Sequence, residues 1–430
     1  MTHEDDRAIG VPPATTEPAG AGPPVALYVH IPFCVSICPY CDFVVYAGAS
    51  ARGPRNRIHA FLLALETEIR LRADVDDERW GPPAADGSGP GRPPLETLYL
   101  GGGTPSLLPA GAIARLIELV RSRFGLAPDA EVTLEANPGP DERGDAGEFR
   151  RAGVNRLSLG AQSLDDAELR RLGRRHRAAD VADAVAAARS GGVGSVSLDL
   201  LYDVPDGTVA SWSETLDRAL ALEPDHLSLY ALTLDDPDSE GLTGPAGDHL
   251  PTTSGARRWR ATARDRQDDD RAAAQYAMAV DRLGAAGWRG YEISNWARPG
   301  HESRHNLVYW ERRPYEAVGP GAHAFDGSVR RWNAARLDGY VAALTPVAGR
   351  SSLPPGDAET IGAGAAAAES LILGLRTDRG VPSTAGERPP LADYVDWAIR
   401  SGILELSGGE RLILTTRGRL ISNELFVRLI

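Results

Sequence analysis

Three cysteines lie within eight residues of one another near the start of the sequence, and the chain has no others. They are Cys34, Cys38 and Cys41. An odd and clustered set of thiols cannot form a disulfide framework, so it indicates a metal site. The spacing Cys-x3-Cys-x2-Cys places three thiolates on one loop, which suits three corners of a 4Fe-4S cubane and leaves the fourth iron open.

Two other interpretations of these cysteines remain open. A structural zinc ion is held by four protein ligands, so His30 or Asp42 would have to complete the set. A redox-active pair would use Cys38 and Cys41 and would leave Cys34 without a role. The cluster is the favoured interpretation because it uses all three thiols.

Six short β-rich runs alternate with longer helical ones in the first half of the chain, and the first run ends just before Cys34. The runs cover residues 27–31, 97–100, 131–136, 156–160, 196–201 and 226–232. Apolar residues recur with a helical period between 113 and 124, so a connecting helix can cover one face of a sheet. The pattern predicts an α/β fold with a parallel sheet, either doubly wound or closed into a full or partial barrel.

Glycine or polar side chains follow the predicted strands one after another. Gly102, Gly103 and Thr104 come after the second run, Glu135 closes the third, Gln162 follows the fourth and Asp199 lies in the fifth. In βα barrels the chemistry collects at these strand ends. Carboxylates and an amide suit an ammonium, a sulfonium and ribose hydroxyls. Taken singly, each side chain could equally be a strand-end polar group with a local partner.

The cysteine segment as a whole resembles radical S-adenosylmethionine (SAM) enzymes of the anaerobic coproporphyrinogen III oxidase group. The resemblance lies in residues 27–34 and in Cys38-Pro39-Tyr40-Cys41-Asp42-Phe43. It implies a partial (β/α)6 radical SAM barrel, similar to a TIM barrel, with a small C-terminal helical and winged domain. It also implies a 4Fe-4S cluster whose open iron binds the amino and carboxylate groups of SAM.

The same resemblance implies a set of SAM-binding residues. They are Tyr28, Gly102, Gly103, Thr104, Glu135, Gln162, Arg174, Asp199 and Ala231. One departure from the family pattern is that Asp203 and Asp206 stand where relatives usually carry glycine.

Two further segments distinguish between branches of this group. Authentic oxidases carry another cysteine two residues after the last cluster cysteine, where this chain has Phe43. Residues 291–297 and the His-Asn-x-x-Tyr-Trp motif at 305–310 instead resemble the haem-chaperone branch. The resemblance implies that His305 ligates haem iron and that Tyr309 and Trp310 offer flat apolar area to the porphyrin. His301 and His323 are alternative ligands, and a packed helix junction is the alternative role for the motif.

The resemblance therefore predicts a haem chaperone that passes haem to an acceptor, such as a respiratory haem protein, with the cluster governing homodimerisation and transfer. The main alternative is an oxygen-independent coproporphyrinogen III oxidase that uses SAM to generate a 5'-deoxyadenosyl radical for oxidative decarboxylation. A radical SAM methyltransferase is less favoured, because no second, methyl-accepting cysteine is present.

Composition and chain organisation complete these expectations. The 59 acidic and 46 basic residues give a net charge of −13, which is unfavourable for binding nucleic acid. No signal peptide or membrane-spanning run is evident, so we expect a cytoplasmic protein that meets a membrane only through an acceptor.

The expected divisions of the chain are a flexible tail (1–23), the barrel (24–300), a connecting segment with the His-Asn-x-x-Tyr-Trp motif (301–353) and the C-terminal domain (354–430). Residues 74–94 and 235–270 are predicted to be inserted surface loops, since helical and strand periodicity fails in both.

Overall fold

Residues 20–50, 56–84, 91–235 and 237–430 are described by a computed structural model, so most of the predicted tail lies outside the described residues. The described chain forms two compact units, residues 20–361 and 362–430. The first contains the cysteine loop and every predicted cofactor residue.

Six parallel strands alternate with helices in the first unit, as the sequence predicts. The strands are β1 (Ala26–Ile31), β2 (Leu95–Gly102), β3 (Leu126–Ala136), β4 (Arg156–Gln162), β5 (Ser195–Tyr202) and β6 (His226–Ala231). Each pairs in parallel with the next along the chain, so the spatial order follows the sequence without reversal. A doubly wound sheet reverses its order at a switch point, whereas a βα barrel does not. The partial-barrel prediction is confirmed.

The helices between these strands pack against the sheet. They are α1 (Ile58–Trp80), α2 (Ala110–Phe124), α3 (Ala146–Ala152), α4 (Asp166–Arg171), α5 (Ala178–Ser190), α6 (Val209–Ala221), α7 (Ser254–Arg264) and α8 (Asp269–Ala285). In α2 the predicted apolar stripe is buried: Ile113, Leu116, Ile117, Val120 and Phe124 are each at most 1% exposed. Burial of such side chains is the main source of stability here, at about 1.5–3 kcal/mol for each.

Both predicted surface loops contain helix, so those two predictions are wrong over the helical parts. Helix α1 continues to Trp80 because its charged end is paired: Arg123 bonds Asp74 at 2.6 Å, and Arg92 bonds Asp77 at 2.6 Å. Residues 254–264 form α7, a helix of low overall hydrophobicity whose few buried positions include Arg260. In these two helices, ion pairs and one buried arginine make contacts that apolar side chains usually make. The sequence therefore lacks the apolar periodicity by which a helix is recognised.

Shorter elements follow α8. They are β7 (Arg289–Gly290), β8 (Asn295–Ala297), α9 (Arg304–Trp310), β9 (Glu316–Val318), β10 (His323–Phe325), β11 (Val329–Asn333), α10 (Leu337–Leu344) and β12 (Gly356–Thr360). Three of them (β7, β8 and β9) extend the sheet at its two edges. Strand β8 is antiparallel to β6, and β9 is parallel to β1. Strands β10, β11 and β12 form a separate antiparallel sheet.

One fully buried carboxylate joins α1 to these later elements. Glu68 Oε1 accepts hydrogen bonds from Arg72 Nε at 3.3 Å and Asn333 Nδ2 at 2.7 Å. Its Oε2 accepts from the Gly319 amide at 2.8 Å and the Tyr340 hydroxyl at 2.7 Å. Both carboxylate oxygens of Glu68 thus act as acceptors, each for two donors.

The unit of residues 362–430 combines short helices with a three-stranded antiparallel sheet. It contains α11 (Ala363–Arg376), β13 (Val381–Pro382), α12 (Val395–Arg400), β14 (Leu404–Ser407), β15 (Arg411–Leu414), α13 (Thr416–Leu420) and α14 (Ser422–Phe426). The predicted strand at Arg411–Leu414 and the helix from Thr416 are both present. Among the described residues of the whole chain, none of the helices combines the length and the apolar character needed to cross a membrane.

Candidate metal and cofactor site

The three cysteines lie on the loop that follows β1 and face one cavity of about 590 Å³. The Cys34 amide donates to the Tyr46 carbonyl at 3.0 Å, and the Cys41 amide donates to the Cys38 carbonyl at 3.0 Å. The Thr104 hydroxyl donates to Cys34 Sγ at 3.4 Å. Backbone bonds therefore fix the loop, while the thiols face the cavity.

A residue that the sequence analysis missed secures this loop from outside. Arg260 of α7 is only 5% exposed, and its Nε donates to the Pro39 carbonyl at 3.0 Å. Its Nη2 donates to the Cys41 carbonyl at 2.9 Å. One planar guanidinium thus holds the carbonyls of Pro39 and Cys41, in the segment that joins the last two cysteines. No local sequence signal marks Arg260, since it lies 219 residues from Cys41.

The buried thiols suit a metal centre. Burial raises the pKa of Cys34 to about 11 and raises the pKa of Cys41 still further, so each of these two thiols stays protonated until a metal takes its proton's place. A 4Fe-4S cubane would present its irons to three such thiolates at separate corners.

The glycine-rich end of β2 packs directly on the cysteine-bearing strand. The Gly103 amide donates to the Ile31 carbonyl at 2.9 Å, and the Thr104 amide donates to the Phe33 carbonyl at 2.7 Å. Gly102 has φ +109°, and a Cβ there would lie 2.4 Å from His30 Cε1. Gly102 and Gly103 line the cavity. A side chain at Gly102 is nevertheless excluded by the buried His30 ring, and not by the cavity.

Two carboxylates line the same cavity from β3 and β5, the strands on either side of β4. Glu135 accepts from the Tyr99 hydroxyl at 2.8 Å and from the Gly102 amide at 2.8 Å, and burial raises its pKa to about 7. Asp199 accepts from the Ser158 hydroxyl at 3.1 Å, and burial raises its pKa as well. A cation that enters the cavity would meet both groups and favour their ionised forms.

Gln162, at the end of β4, and Arg174 both line the first cavity. The β4–β5 register shifts between Leu159 and Gln162, where Gln162 adopts φ +65°. Such bulges re-aim side chains at strand ends. Arg174 donates to the Gly160 carbonyl at 2.8 Å and to Cys38 Sγ at 3.3 Å. Arg174 is therefore held between the end of β4 and the cysteine loop.

The two aspartates that replace the usual glycines keep a glycine-like backbone. Asp203 and Asp206 have φ +55° and +58°, a region that Asp tolerates better than most residues. Asp203 accepts from Arg271 Nε at 3.0 Å, and Asp206 accepts from Arg266 Nη1 at 2.8 Å. These ion pairs connect the loop after β5 to α8 and to the turn before it.

A second cavity, of about 340 Å³, lies beside the first. Its lining comprises Tyr28, His30, Asp42, Phe43, Val44, Asp248, His249, Tyr309, Tyr315, Gly321 and His323. Asp42 and Phe43 also line the first cavity, so the cysteine loop borders both. Tyr28 faces this second cavity and not the first, with its hydroxyl 3.0 Å from His30 Nδ1. Ala231, in contrast, lines the first cavity as predicted for a SAM residue.

Of the three predicted haem residues, only Tyr309 lines one of these two cavities. His305 is 1% exposed, its Nδ1 is hydrogen-bonded to Thr97 Oγ1 at 2.7 Å, and its Nε2 is hydrogen-bonded to Tyr309 OH at 2.8 Å. Ligation of iron by His305 would require one of these bonds to break. Tyr309 lines the second cavity, whereas Trp310 lines neither of the two.

The two alternative histidines also differ in position. His301 shares a hydrogen bond with Ser195 Oγ at 3.1 Å and lines neither cavity. His323 lines the second cavity, and its Nε2 is hydrogen-bonded to Asp248 at 2.8 Å.

Buried neutral histidines should make this protein less stable in acid. Burial lowers the pKa of His305 to about 3, and it lowers the pKa of His30 and His176 to about 4. The unfolded chain then binds more protons below pH 6.5, so stability is full above that pH and falls as the pH drops toward 4. By about pH 5 each of these histidines removes roughly 2 kcal/mol from the free energy of unfolding.

Urea unfolding near pH 7 and near pH 5 measures this loss. The variant His305→Gln should lose less stability on acidification, because the contribution of one buried histidine is gone. His59→Gln, at an exposed position on α1, should match the unmodified chain. The same pH dependence in His305→Gln and the unmodified chain would contradict this account.

Comparisons with known proteins agree with this geometry. The Radical SAM superfamily matches residues 28–219. Heme chaperone HemW of Mycobacterium tuberculosis is 36% identical over 405 residues, which cover 94% of this chain and 94% of that protein. Heme chaperone HemW of Escherichia coli is 35% identical over 301 residues, or 70% of each chain. The structure of coproporphyrinogen III oxidase (HemN) from Escherichia coli matches with a TM-score of 0.73 and 23% identity, over 97% of this chain and 91% of that one, which shows the shared fold.

Proposed function

The chain belongs to the HemW family within the radical SAM superfamily, and on that premise we propose that it is a haem chaperone, which binds haem and passes it to an acceptor protein. The observation that carries the proposal is the identity to a heme chaperone of 36% over 94% of both chains. We further propose that the acceptor is a respiratory haem protein and that the chain forms a homodimer.

We assign the first cavity to the cluster and SAM that the family implies. Cys34, Cys38 and Cys41 would hold the 4Fe-4S cluster, which supplies a one-electron redox centre with one open iron. The residues expected to surround SAM are Gly102, Gly103, Thr104, Glu135, Gln162, Arg174, Asp199 and Ala231. Glu135 and Asp199 supply negative charge toward an ammonium and a sulfonium, and Arg174 orients the strand ends around the cysteine loop.

The His-Asn-x-x-Tyr-Trp motif is assigned to haem binding. The aromatic ring of Tyr309 lines the second cavity, and the Tyr309 hydroxyl is hydrogen-bonded to the buried His305 ring. Iron ligation by His305 itself stays a prediction, as does contact between haem and Trp310. Tyr28 belongs with this group by position, since its ring is 6.4 Å from the His305 ring.

A second candidate function is that of an oxygen-independent coproporphyrinogen III oxidase. It is favoured by the likeness in fold to HemN over 97% of the chain. Against it stands Phe43, at the position where oxidases of this group carry a further cysteine. Phe43 is 62% exposed at the border of the two cavities, where it offers neither a metal ligand nor a proton donor.

Haem titration and substrate turnover on the same anaerobically reconstituted sample separate the two functions. We expect a Soret band that saturates at about one haem per chain, because one histidine ligand serves one iron. We expect no decarboxylated porphyrin from coproporphyrinogen III with SAM and a reductant. Turnover with SAM consumption and without haem affinity would establish the oxidase and overturn the chaperone.

A further inference from the structure

We propose that the end of the first cavity farthest from the cysteine loop is a binding site for a small carboxylate, anchored by Arg156 and Asn306. The site lies apart from the residues expected to hold the cluster and SAM. It goes beyond the proposed haem-chaperone function and does not depend on it, because no group assigned to haem takes part.

The first cavity extends along the strands, away from the ends that carry the cofactor residues. Arg156 is the first residue of β4, and His226 is the first residue of β6. Arg156 precedes Gly160 by four residues, a distance of about 13 Å along a strand. We call this far end of the cavity the cavity floor. Its polar lining residues, none of them expected to surround SAM, are Arg156, Ser197, His226, Ser303 and Asn306.

A polar floor is unusual for a βα barrel, because layers of bulky apolar side chains normally fill the interior. In this chain the cavity-lining positions of β4 and β5 near the floor are polar: Arg156, Ser158, Ser197 and Asp199. Buried polar groups are costly unless they have partners. The His226 ring is satisfied, since its Nδ1 is hydrogen-bonded to Ser197 Oγ at 2.8 Å and its Nε2 to Tyr291 OH at 2.8 Å.

Arg156, in contrast, is satisfied on only one side of its guanidinium. The residue is 3% exposed, and its Nη1 donates to Ser195 Oγ at 3.1 Å and to the His301 carbonyl at 2.9 Å. Its Nε and Nη2 have no hydrogen-bond partner among the described residues. Neither atom is among the fully sealed polar atoms that lack a partner, so both reach the open cavity. The N–H groups on this edge are parallel, which is the arrangement that binds a carboxylate through two hydrogen bonds.

The floor carries one positive charge. Burial lowers the pKa of His226 well below its ordinary value, so the imidazole is neutral at pH 7. Within the described ranges Arg156 forms no ion pair with a carboxylate. Burial raises the pKa of Asp199, and Arg156 is one of the groups that oppose this rise, but the two side chains are not in contact. A buried cation without a counter-charge is unfavourable, and a singly charged anion would supply the missing partner.

Asn306 offers a second, neutral contact at the floor. Its backbone amide donates to Ser303 Oγ at 3.3 Å, while its carboxamide has no hydrogen-bond partner in the part of the chain that the structure describes. A carboxamide can donate to a carboxylate oxygen or accept from a neighbouring hydroxyl group of the ligand. The His-Asn-x-x-Tyr-Trp motif thus contributes to both cavities, with Asn306 at the first and Tyr309 at the second.

The test measures the binding of formate, acetate and lactate to the full-length, cluster-reconstituted chain by anaerobic calorimetry in chloride-free buffer. We expect saturable binding of at least one of these carboxylates at about one per chain, because one guanidinium edge serves one carboxylate. Lactamide, which resembles lactate in shape but has no charge, should bind much more weakly than lactate.

Three variants locate the binding site. For Arg156→Gln we expect the dissociation constant of the carboxylate to rise about tenfold or more, because two hydrogen bonds to a charged group are lost. For Asn306→Ala we expect a rise of about fivefold, as for one neutral hydrogen bond. Arg115→Gln, at an exposed position on α2, should match the unmodified chain. Equal iron content of the cluster in all four proteins shows that the variants are folded.

The outcomes that overturn this site are distinct from failure of the chaperone, since haem is absent from the measurement. No saturable binding of any of the three carboxylates would overturn it, as would equal affinities for lactate and lactamide. An unchanged dissociation constant in Arg156→Gln would place the bound carboxylate elsewhere. If Arg156→Gln does not fold, Asn306→Ala decides, because its carboxamide has no partner to lose within the described structure: an unchanged dissociation constant there overturns the assignment.

Discussion

Cys38→Ser should reduce the iron content of the reconstituted protein from about four atoms per chain to nearly none and abolish the broad visible absorption of the cluster. The serine hydroxyl is a much weaker iron ligand than a thiolate, and the chain contains no further cysteine that could replace it. Arg174 would also lose its sulfur partner at 3.3 Å, so the end of β4 would no longer be joined to the loop. SAM binding should disappear with the cluster, because its open iron would be gone.

Ser36→Ala is the matched control, since it changes an exposed residue of the same loop and leaves all three thiols in place. Iron and acid-labile sulfide are measured after anaerobic reconstitution, together with the absorption spectrum and SAM binding. Full iron content and an unchanged spectrum in Cys38→Ser would remove the cluster assignment and, with it, the site built around the first cavity.

Glu68→Gln should lower the free energy of unfolding by about 3 kcal/mol, although the two side chains have nearly the same shape. Both carboxylate oxygens of Glu68 accept from donors: one from Arg72 and Asn333, the other from the Gly319 amide and the Tyr340 hydroxyl. An amide nitrogen at either position would face two donors. Each buried donor left without an acceptor costs about 1–3 kcal/mol, and the charge opposite Arg72 is lost as well.

Glu66→Gln on the same helix provides the control for this effect. Glu66 meets Arg70 at 3.4 Å on a more exposed part of α1, where loss of an ion pair costs less than about 1 kcal/mol. Denaturant unfolding monitored by far-UV circular dichroism gives both values. Equal midpoints for Glu68→Gln and Glu66→Gln would show that the Glu68 network contributes little to the stability of this fold.

The sequence predicted the parts of the structure that depend on local patterns. The six parallel strands lie within a few residues of their predicted bounds, because β-rich runs and helical periods are properties of short segments. The motif residues after those strands come together because parallel strands end at the same edge of a sheet. Glu135 and Asp199 therefore line one cavity although 64 residues separate them in the sequence.

The parts that the sequence did not predict depend on contacts between distant segments. Arg260 and Asp248 lie in a stretch without periodicity, so nothing near them indicates that one secures the cysteine loop and the other orients His323. Tyr28 sits in β1 between buried neighbours, and only the three-dimensional structure shows that its ring faces the second cavity. The motif around His305 indicates a functional segment, but not that the histidine is hydrogen-bonded through both nitrogens.

The two-residue border Asp42–Phe43 has an energetic consequence, because the same side chains line both cavities. A ligand that shifts this border when it enters one cavity changes the affinity of the other, and linkage requires the reverse effect to have the same size. A coupling of about 1.4 kcal/mol already changes affinity tenfold. Through this border, the state of the cluster loop would set how tightly the neighbouring cavity holds its ligand, and ligand release would become a controlled step.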